Sequence, residues 1–108
     1  MKCMANEVIV RGTTPTIEFR LKVVDPSSIV AADLSISQGG DIVVEKDLSS
    51  MTIAENKIQW ILSQSDTLKL KSGGKCKIQV RCRTSSGLAY ASYPIEPTVM
   101  EIIKDGEI

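Results

Sequence analysis

Apolar and polar residues alternate along most of this chain, which is the pattern of strands with one buried and one solvated face. The clearest example is residues 16–23, in which every second side chain is apolar. The residues predicted to face the core in this segment are Ile17, Phe19, Leu21 and Val23. A helix would spread them around its circumference, whereas a strand places them on one side. The alternation therefore predicts a half-buried strand.

The same alternation recurs in short segments separated by turn residues. Adjacent glycines at 39 and 40 supply the positive φ angles of a tight turn, so they predict a hairpin between strands at 32–37 and 42–48. Further strands are predicted at residues 7–11, 51–54, 57–62, 75–84, 88–95 and 98–104. The apolar residues on their inward faces are Leu34, Ile36, Val44, Ile58, Trp60, Leu62, Cys76, Ile78, Val80 and Cys82, while in the last strand Val99 and Glu101 alternate with Met100 and Ile102. Pro94 and Pro97 restrict the segment 88–95 to an edge or bulged position.

Residues 64–70 do not follow the alternation of apolar and polar residues. Ser63 or Ser65 is a suitable cap for a short helical turn, and Asp66 would lie near the positive end of that turn. Leu68 and Leu70 are then expected to pack beneath the sheets. We interpret the segment as a helical crossover between two sheets, not as a second domain.

The turn spacing of 8–12 residues and about eight short strands are typical of an all-β fold. We predict a two-sheet antiparallel β-sandwich, immunoglobulin-like, with one short helical crossover; a small barrel is the alternative. The 108 residues are enough for one domain. We expect that domain to span residues 7–108, preceded by a flexible N-terminal tail at residues 1–6.

The charges of the chain are balanced, with 13 Lys plus Arg against 13 Asp plus Glu. A net charge of zero argues against a protein that coats nucleic acid or an anionic membrane, so neither is expected as a partner. It also removes the self-repulsion that opposes association, which makes a homo-oligomer physically accessible. The chain has no apolar stretch long enough for a membrane span, and because residues 1–6 are too short and too polar for a secretory signal, we expect none. We expect a soluble protein made in a cytoplasm.

The three cysteines fit a reducing compartment. Cys76 and Cys82 share the inward face of one predicted strand, about 20 Å apart, which is too far for a disulfide. We predict that both are small core residues of a reduced protein. Cys3 falls in the predicted tail.

The residue types for common chemistry are absent or scattered. The chain contains no histidine, which removes the commonest general base, the commonest zinc ligand and every Ser-His or Cys-His pair. Glu45 with Asp41 or with Asp47 forms a carboxylate pair, but solvated carboxylates on a strand keep ordinary pKa values. The glycine pairs match no phosphate-binding motif. We therefore predict no enzyme activity, no metal and no cofactor.

One surface feature suggests a binding role. Four basic residues lie on the outward face of the strand 75–84: Lys75, Lys77, Arg81 and Arg83. They form either a docking face for an acidic partner, or a solvated face whose charges are balanced by Glu18, Glu45 or Asp47 on neighbouring strands. Sheets that bind single-stranded nucleic acid interleave aromatic residues with basic ones, and this strand has none. Of Tyr90 and Tyr93, which differ in parity, one is expected to face solvent near Pro94.

The order of the segments resembles that of a known family. The likeness is carried by GTTPT at residues 12–16, the QGG hairpin at 38–40, LSQSDTL at 62–68, IQVRCRT at 78–84 and IIKDGEI at 102–108. In layout the chain is similar to small β-sandwich proteins encoded in the tail or baseplate regions of phages and prophages of Gram-positive bacteria, including the N-terminal domain of phage baseplate upper proteins. The likeness covers nearly the whole chain and includes no catalytic motif. Cys76 and Cys82 depart from the family pattern, in which aliphatic residues would be ordinary.

The resemblance implies a structural or accessory virion protein. The expected partners are other virion or tail proteins and copies of the chain itself, and the expected location is the virion, or the bacterial cytoplasm when a prophage expresses the gene. An accessory carbohydrate-binding or adhesion sandwich is the alternative function. That class usually carries a row of exposed aromatic residues or a calcium loop, and neither is evident in the sequence.

Overall fold

The structure, a computed structural model, describes residues 8–21, 25–54 and 56–108. The predicted tail at residues 1–6, including Cys3, and the inward position of Val23 lie outside the described residues. Within them, the chain is mostly β, with antiparallel pairing in all three of its sheets. This agrees with the predicted all-β class and is compatible with a sandwich.

The described residues form ten strands and one α-helix. The strands are β1 (Val8–Val10), β2 (Thr16–Arg20), β3 (Ile29–Gln38), β4 (Asp41–Asp47), β5 (Thr52–Ala54), β6 (Lys57–Ile61), β7 (Gly74–Lys75), β8 (Lys77–Thr84), β9 (Ala89–Ala91) and β10 (Thr98–Met100). The helix α1 spans Gln64–Leu68, and short 3-10 turns occupy Pro26–Ser28 and Leu48–Ser50.

The strands form three hydrogen-bonded sheets, not the two that the sequence predicts. The strand orders are β2-β6-β5, β4-β3-β8-β9 and β1-β10-β7. The pair β1–β10 is parallel, and the other pairs among the described strands are antiparallel.

Two of these sheets are continuous with each other. Only Cys76 separates β7 from β8. The segment that connects β9 to β10 runs next to these two strands. Ile78 and Ile95 exchange backbone hydrogen bonds of 2.8 and 2.9 Å, and the Cys76 N–H donates to the Pro97 carbonyl at 3.1 Å. The register shifts by one residue between the pairs Arg81–Ala91 and Ile78–Ile95, around Tyr93 and Pro94. Because proline has no N–H to donate, this irregularity divides what would otherwise be one larger sheet.

One hydrophobic core lies between the smaller sheet β2-β6-β5 and the larger sheet formed by the other strands. Its buried members are Ile9, Ile17, Phe19, Leu21, Ile29, Leu34, Ile36, Val44, Ile58, Trp60, Leu62, Leu70, Cys76, Ile78, Val80, Cys82 and Val99. The predicted inward residues within the described ranges are all among them, including Trp60 at 1% exposure. Period-two alternation therefore identified the core because each strand has one solvated face.

Several strand ends differ from the prediction. β3 begins at Ile29 instead of residue 32, and the strand predicted at 88–95 is reduced to Ala89–Ala91. The strand predicted at 98–104 ends at Met100. There the Ile102 N–H donates to the side chain of Glu101 at 3.1 Å, so the backbone leaves the sheet.

Arg11 holds the backbone in place where it leaves the sheet after β10. Its guanidinium donates to the carbonyl oxygens of Leu70 at 2.8 Å and Leu68 at 3.0 Å. It also forms ion pairs with Glu101 at 2.6 Å and Asp105 at 2.5 Å. These charge-assisted bonds hold the end of β1, the helix end and residues 101–105 together. The two carboxylates raise the pKa of Arg11, so its charge is retained.

The helical crossover is capped as the sequence predicts, with Ser63 as the cap. The Ser63 hydroxyl accepts from the Asp66 N–H at 3.1 Å, and the Asp66 carboxylate accepts from the Ser63 N–H at 2.9 Å, which completes a capping box. Leu70 is buried and Leu68 is half-buried, so both pack as expected. Lys46 on β4 pairs with Asp66 at 2.7 Å and ties the helix to the larger sheet.

Candidate functional site

The four basic residues predicted to form a docking face lie on two consecutive strands, β7 and β8, that are separated only by Cys76. Lys75 lies on β7, and Lys77, Arg81 and Arg83 lie on β8. All four are exposed, and they alternate with the buried residues Cys76, Ile78, Val80 and Cys82. Strand geometry therefore directs the basic side chains away from the core, onto the surface that we call the outer face. The outer face is the solvated side of β4, β3, β8 and β9, and Lys75 lies just beyond it on β7.

Acidic residues lie beside this basic line on the same face. In the cross-strand register, Asp33 on β3 is directly opposite Arg81 on β8 and directly opposite Asp47 on β4. Glu45 on β4 is opposite Ser35, which in turn is opposite Gln79 on β8. The outer face therefore carries an acidic column on β3 and β4, formed by Asp33, Glu45 and Asp47. A basic column, formed by Lys77, Arg81 and Arg83, runs beside it on β8.

The two columns do not neutralise each other through close contacts. Within the described ranges, the ion pairs at 4.0 Å or less are Arg11–Glu101, Arg11–Asp105, Lys46–Asp66 and Lys57–Glu18. None of these involves a member of either column. The expectation that Glu18 balances the basic residues is wrong, because Glu18 lies on β2 in the smaller sheet and pairs with Lys57 at 3.2 Å.

Small side chains separate and flank the charged ones. Ala31 is opposite Arg83, Ser37 is opposite Lys77, and Ala89 and Ala91 lie on β9 beside Arg83 and Arg81. Shallow depressions consequently open on both sides of Arg81. One of them reaches Ile42 and Pro94, so the face has an apolar rim at that end. Surfaces of this shape suit contact with another protein surface better than enclosure of a small molecule.

Tyr93 lies at the same end of the sheet. It is 84% exposed, whereas Tyr90 is half-buried, so the prediction that one of the two tyrosines faces solvent near Pro94 is confirmed. Ser92, its neighbour, is buried, and its hydroxyl accepts from the Val80 N–H at 3.0 Å. An exposed tyrosine at the margin of a polar face is a common interface anchor.

Lys69 and Lys71, which precede the basic strand in the sequence, are also exposed. The Gln38 amide donates to the Lys71 carbonyl at 2.9 Å, and the Gln38 side-chain oxygen accepts from the Lys71 N–H at 2.7 Å. These bonds place both lysines beside the β3–β4 hairpin, next to Lys75. They extend the positive charge beyond the end of the basic column.

The candidate carboxylates have no arrangement typical of acid–base catalysis. Asp41, Glu45 and Asp47 are exposed. The Ser49 hydroxyl and N–H lower the pKa of Asp47, which keeps that carboxylate ionised. In the part of the chain that the structure describes, no group of three or more Cys, Asp or Glu side chains could hold a metal ion. No helix among the described residues is long and apolar enough to cross a membrane.

Both described cysteines are free and buried in the core, as predicted. Burial raises the pKa of the Cys76 thiol to about 11 and raises that of Cys82 as well. A thiol that is shielded and protonated is a poor nucleophile and a poor metal ligand. Their role in the described fold is packing.

The alternation of the sequence identified the basic residues of this site and also the outward position of Asp33. It did not identify Asp33 as the residue opposite Arg81, because strand order cannot be read from one strand at a time. Comparison with known proteins adds no further constraint: no family model, curated protein or solved structure matches the chain.

Proposed function

We propose that this chain is a non-catalytic structural or assembly protein that acts through protein–protein contacts on its outer face. In this proposal it belongs to the tail- or baseplate-associated proteins of a phage or prophage, located in the virion or in the bacterial cytoplasm before assembly. Its partners are other virion proteins and copies of itself, without nucleic acid or membrane.

One observation carries the assembly role. The outer face presents charged side chains in ordered columns with no close ion partners within the described residues. Some described charges elsewhere pair, as Glu18 with Lys57 and Arg11 with Glu101 do, whereas none of the six charges in the two columns has such a partner in the described part of the chain. Charges left solvated on a rigid sheet are available to a complementary surface, where they steer association and set its register.

We also propose that the sandwich is immunoglobulin-like. The support is the strand order: β2-β6-β5 forms one layer, and β4-β3-β8-β9 forms the other. The short helix α1 links β6 to the strand line β7–β8, and β1 pairs in parallel with β10 at the far side of the larger layer. Crossovers of this kind between two antiparallel layers are typical of Greek-key sandwiches.

The virion assignment is supported by the sequence resemblance alone. It predicts that the chain is present in particles. The test is to induce the host that encodes the gene, purify the released particles on a density gradient and probe the fractions with an antibody against the chain. Signal that comigrates with intact particles supports the assignment, and signal confined to soluble fractions contradicts it.

The assembly role is tested by the solution mass of the purified chain. We expect light scattering over a concentration series to give a defined oligomer that weakens at high salt, because exposed charge pairs are screened. A monomer at every concentration and at both salt levels would contradict self-assembly and favour the accessory binding module instead. Arg81→Glu combined with Arg83→Glu should abolish the salt-sensitive association. Arg20→Glu, an exposed change on the smaller sheet, is the matched control.

A further inference from the structure

We infer that the outer face binds a second copy of this chain, face to face, about a two-fold axis that runs between β3 and β8. This inference rests on the proposed assembly function and names the partner and the register. The reason is that turning one copy over brings the acidic Asp33 of each copy over the basic Arg81 of the other.

The relevant order of charges runs across the strands. One row of the sheet reads Asp47, Asp33, Arg81 and Ala91 on β4, β3, β8 and β9. The acidic side chains of the row therefore lie on one side of the gap between β3 and β8, and the basic side chain lies on the other. Neighbouring strands are about 4.8 Å apart, so the two columns span three strands, about 10 Å across.

Consider a two-fold axis that runs parallel to the strands, above the space between β3 and β8 and midway between the two copies. Rotation about this axis exchanges the β3 side of the face with the β8 side. The rotation places β3 of the second copy over β8 of the first. Because it does not change positions along the strands, each row of the second copy lies over the same row of the first. Sheets packed face to face with aligned strands lie about 10 Å apart, a gap that facing Arg and Asp side chains can bridge together. The symmetry makes every such contact occur twice.

The register of the rows fits this arrangement. Asp33 of each copy faces Arg81 of the other, which gives two ion pairs. Ser35 faces Gln79 in the next row, where a hydroxyl and an amide can bond. Asp47 of the second copy comes over Ala91, a small residue that leaves the carboxylate room. The rows place no like charges directly over each other across the axis.

Of the three charged residues on the described strands of the smaller sheet, only Arg20 has no ion partner within 4.0 Å among the described residues. On its outer side Glu18 and Lys57 already pair at 3.2 Å, and their charges are therefore satisfied within one copy. The net charge of zero adds to the case, since two copies approach without overall repulsion. The face-to-face dimer pairs Asp33 with Arg81, two charges that have no close ion partner among the described residues of a single copy.

The test is a charge exchange on the full chain. Asp33→Arg gives a chain with a basic residue on both sides of the axis, and Arg81→Asp gives a chain with an acidic residue on both sides. Each variant alone should be monomeric where the original chain is dimeric. An equimolar mixture should form a heterodimer, and the double variant Asp33→Arg with Arg81→Asp should dimerise again. Arg20→Asp serves as the control that reverses a charge outside the face.

Mass photometry or light scattering at low salt reads the outcome, and thermal unfolding of each variant checks that it is folded. Association that appears only on mixing, or in the double variant, supports the inference. Variants that associate as the original chain does would overturn this face and axis, and with them the proposed contacts on the outer face, while self-assembly itself would stand. A monomeric original chain at all concentrations would overturn the dimer, and the proposed self-assembly would fail with it, which the wild-type series alone reveals.

Discussion

The indole N–H of Trp60 donates a hydrogen bond of 3.0 Å to the backbone carbonyl of Asp47. Trp60 lies on β6 in the smaller sheet, and Asp47 is the last residue of β4 in the larger one. The side chain therefore fills the core at 1% exposure and also joins the two layers at one end. A buried tryptophan needs a partner for its N–H, and here that partner is where β4 ends and the 3-10 turn begins.

We expect Trp60→Phe to destabilise the fold by about 1–3 kcal/mol, since it removes both buried volume and the bond to Asp47. Urea unfolding monitored by circular dichroism measures the free energy of unfolding. Ile61→Thr, at the adjacent and 65% exposed position, is the matched control and should change it by less than about 0.5 kcal/mol. Equal effects of the two changes would contradict a special role for Trp60.

Gly12 lies against Ile102, which follows the point where the chain leaves the last strand. The φ angle of Gly12 is +77°, and a Cβ there would come within 2.9 Å of the Ile102 Cδ1 atom. We expect Gly12→Ala to destabilise the fold by about 1–3 kcal/mol, through backbone strain and this contact together.

Gly39 is a control that distinguishes backbone strain from the contact with Ile102. Its φ is +60°, and a Cβ there would meet nothing within 4 Å, so Gly39→Ala should cost only the backbone term of about 1–2 kcal/mol. Adding Ile102→Ala to Gly12→Ala should cost less than the sum of the two single changes, as measured by a double-mutant cycle in denaturant. Strict additivity would show that the contact with Ile102 is unimportant.

The sequence predicts the core better than it predicts the sheet edges. Alternation placed Ile17, Phe19 and Trp60 correctly because burial on one face is a local property of each strand. The end of β10 at Met100 depends instead on Arg11, which is nearly ninety positions away in sequence and draws Glu101 out of the sheet. No window of neighbouring residues contains that pairing.

The candidate site shows the same division. The exposure of Arg81 and the outward direction of Asp33 follow from parity alone. Their position opposite each other follows from the pairing of β3 with β8, which brings together two residues more than forty positions apart in sequence. The wrong assignment of Glu18 as a balancing charge has this cause too: its parity was right, but its sheet could not be known.

Cys76 and Cys82 provide a chemical test of the core. Burial raises the pKa of Cys76 to about 11, so only about one thiol in a thousand is ionised at pH 8. In a Cys3→Ser chain, we expect the two remaining thiols to react with a disulfide reagent far more slowly than free cysteine does. Both should react at once in guanidinium. Rapid labelling of the folded chain would contradict the packing of these strands.

Asp66 gives the fold a defined response to acid. Burial by itself would raise the pKa of this carboxyl, but the ion pair with Lys46 and the bonds from the Ser63 N–H and hydroxyl outweigh it and lower the pKa below its ordinary value of 3.8. A carboxyl with a lowered pKa in the folded state stabilises that state above the unfolded pKa. This contribution is lost as the pH falls through the folded value.

We therefore expect Asp66→Asn to lower the free energy of unfolding at pH 7 by about 1–2 kcal/mol, since it weakens the helix cap and removes the ion pair. The difference between the variant and the original chain should shrink as the pH falls from about 3.8, where the carboxyl of the unfolded chain takes up a proton, through the lower pKa of the folded chain, below which both are neutral. Denaturant unfolding at a series of pH values between 2 and 7 measures both curves. Glu96→Gln, an exposed change outside the cap, should follow the original chain throughout. A constant difference at every pH would mean that the charge of Asp66 contributes nothing and that the capping geometry alone stabilises the crossover.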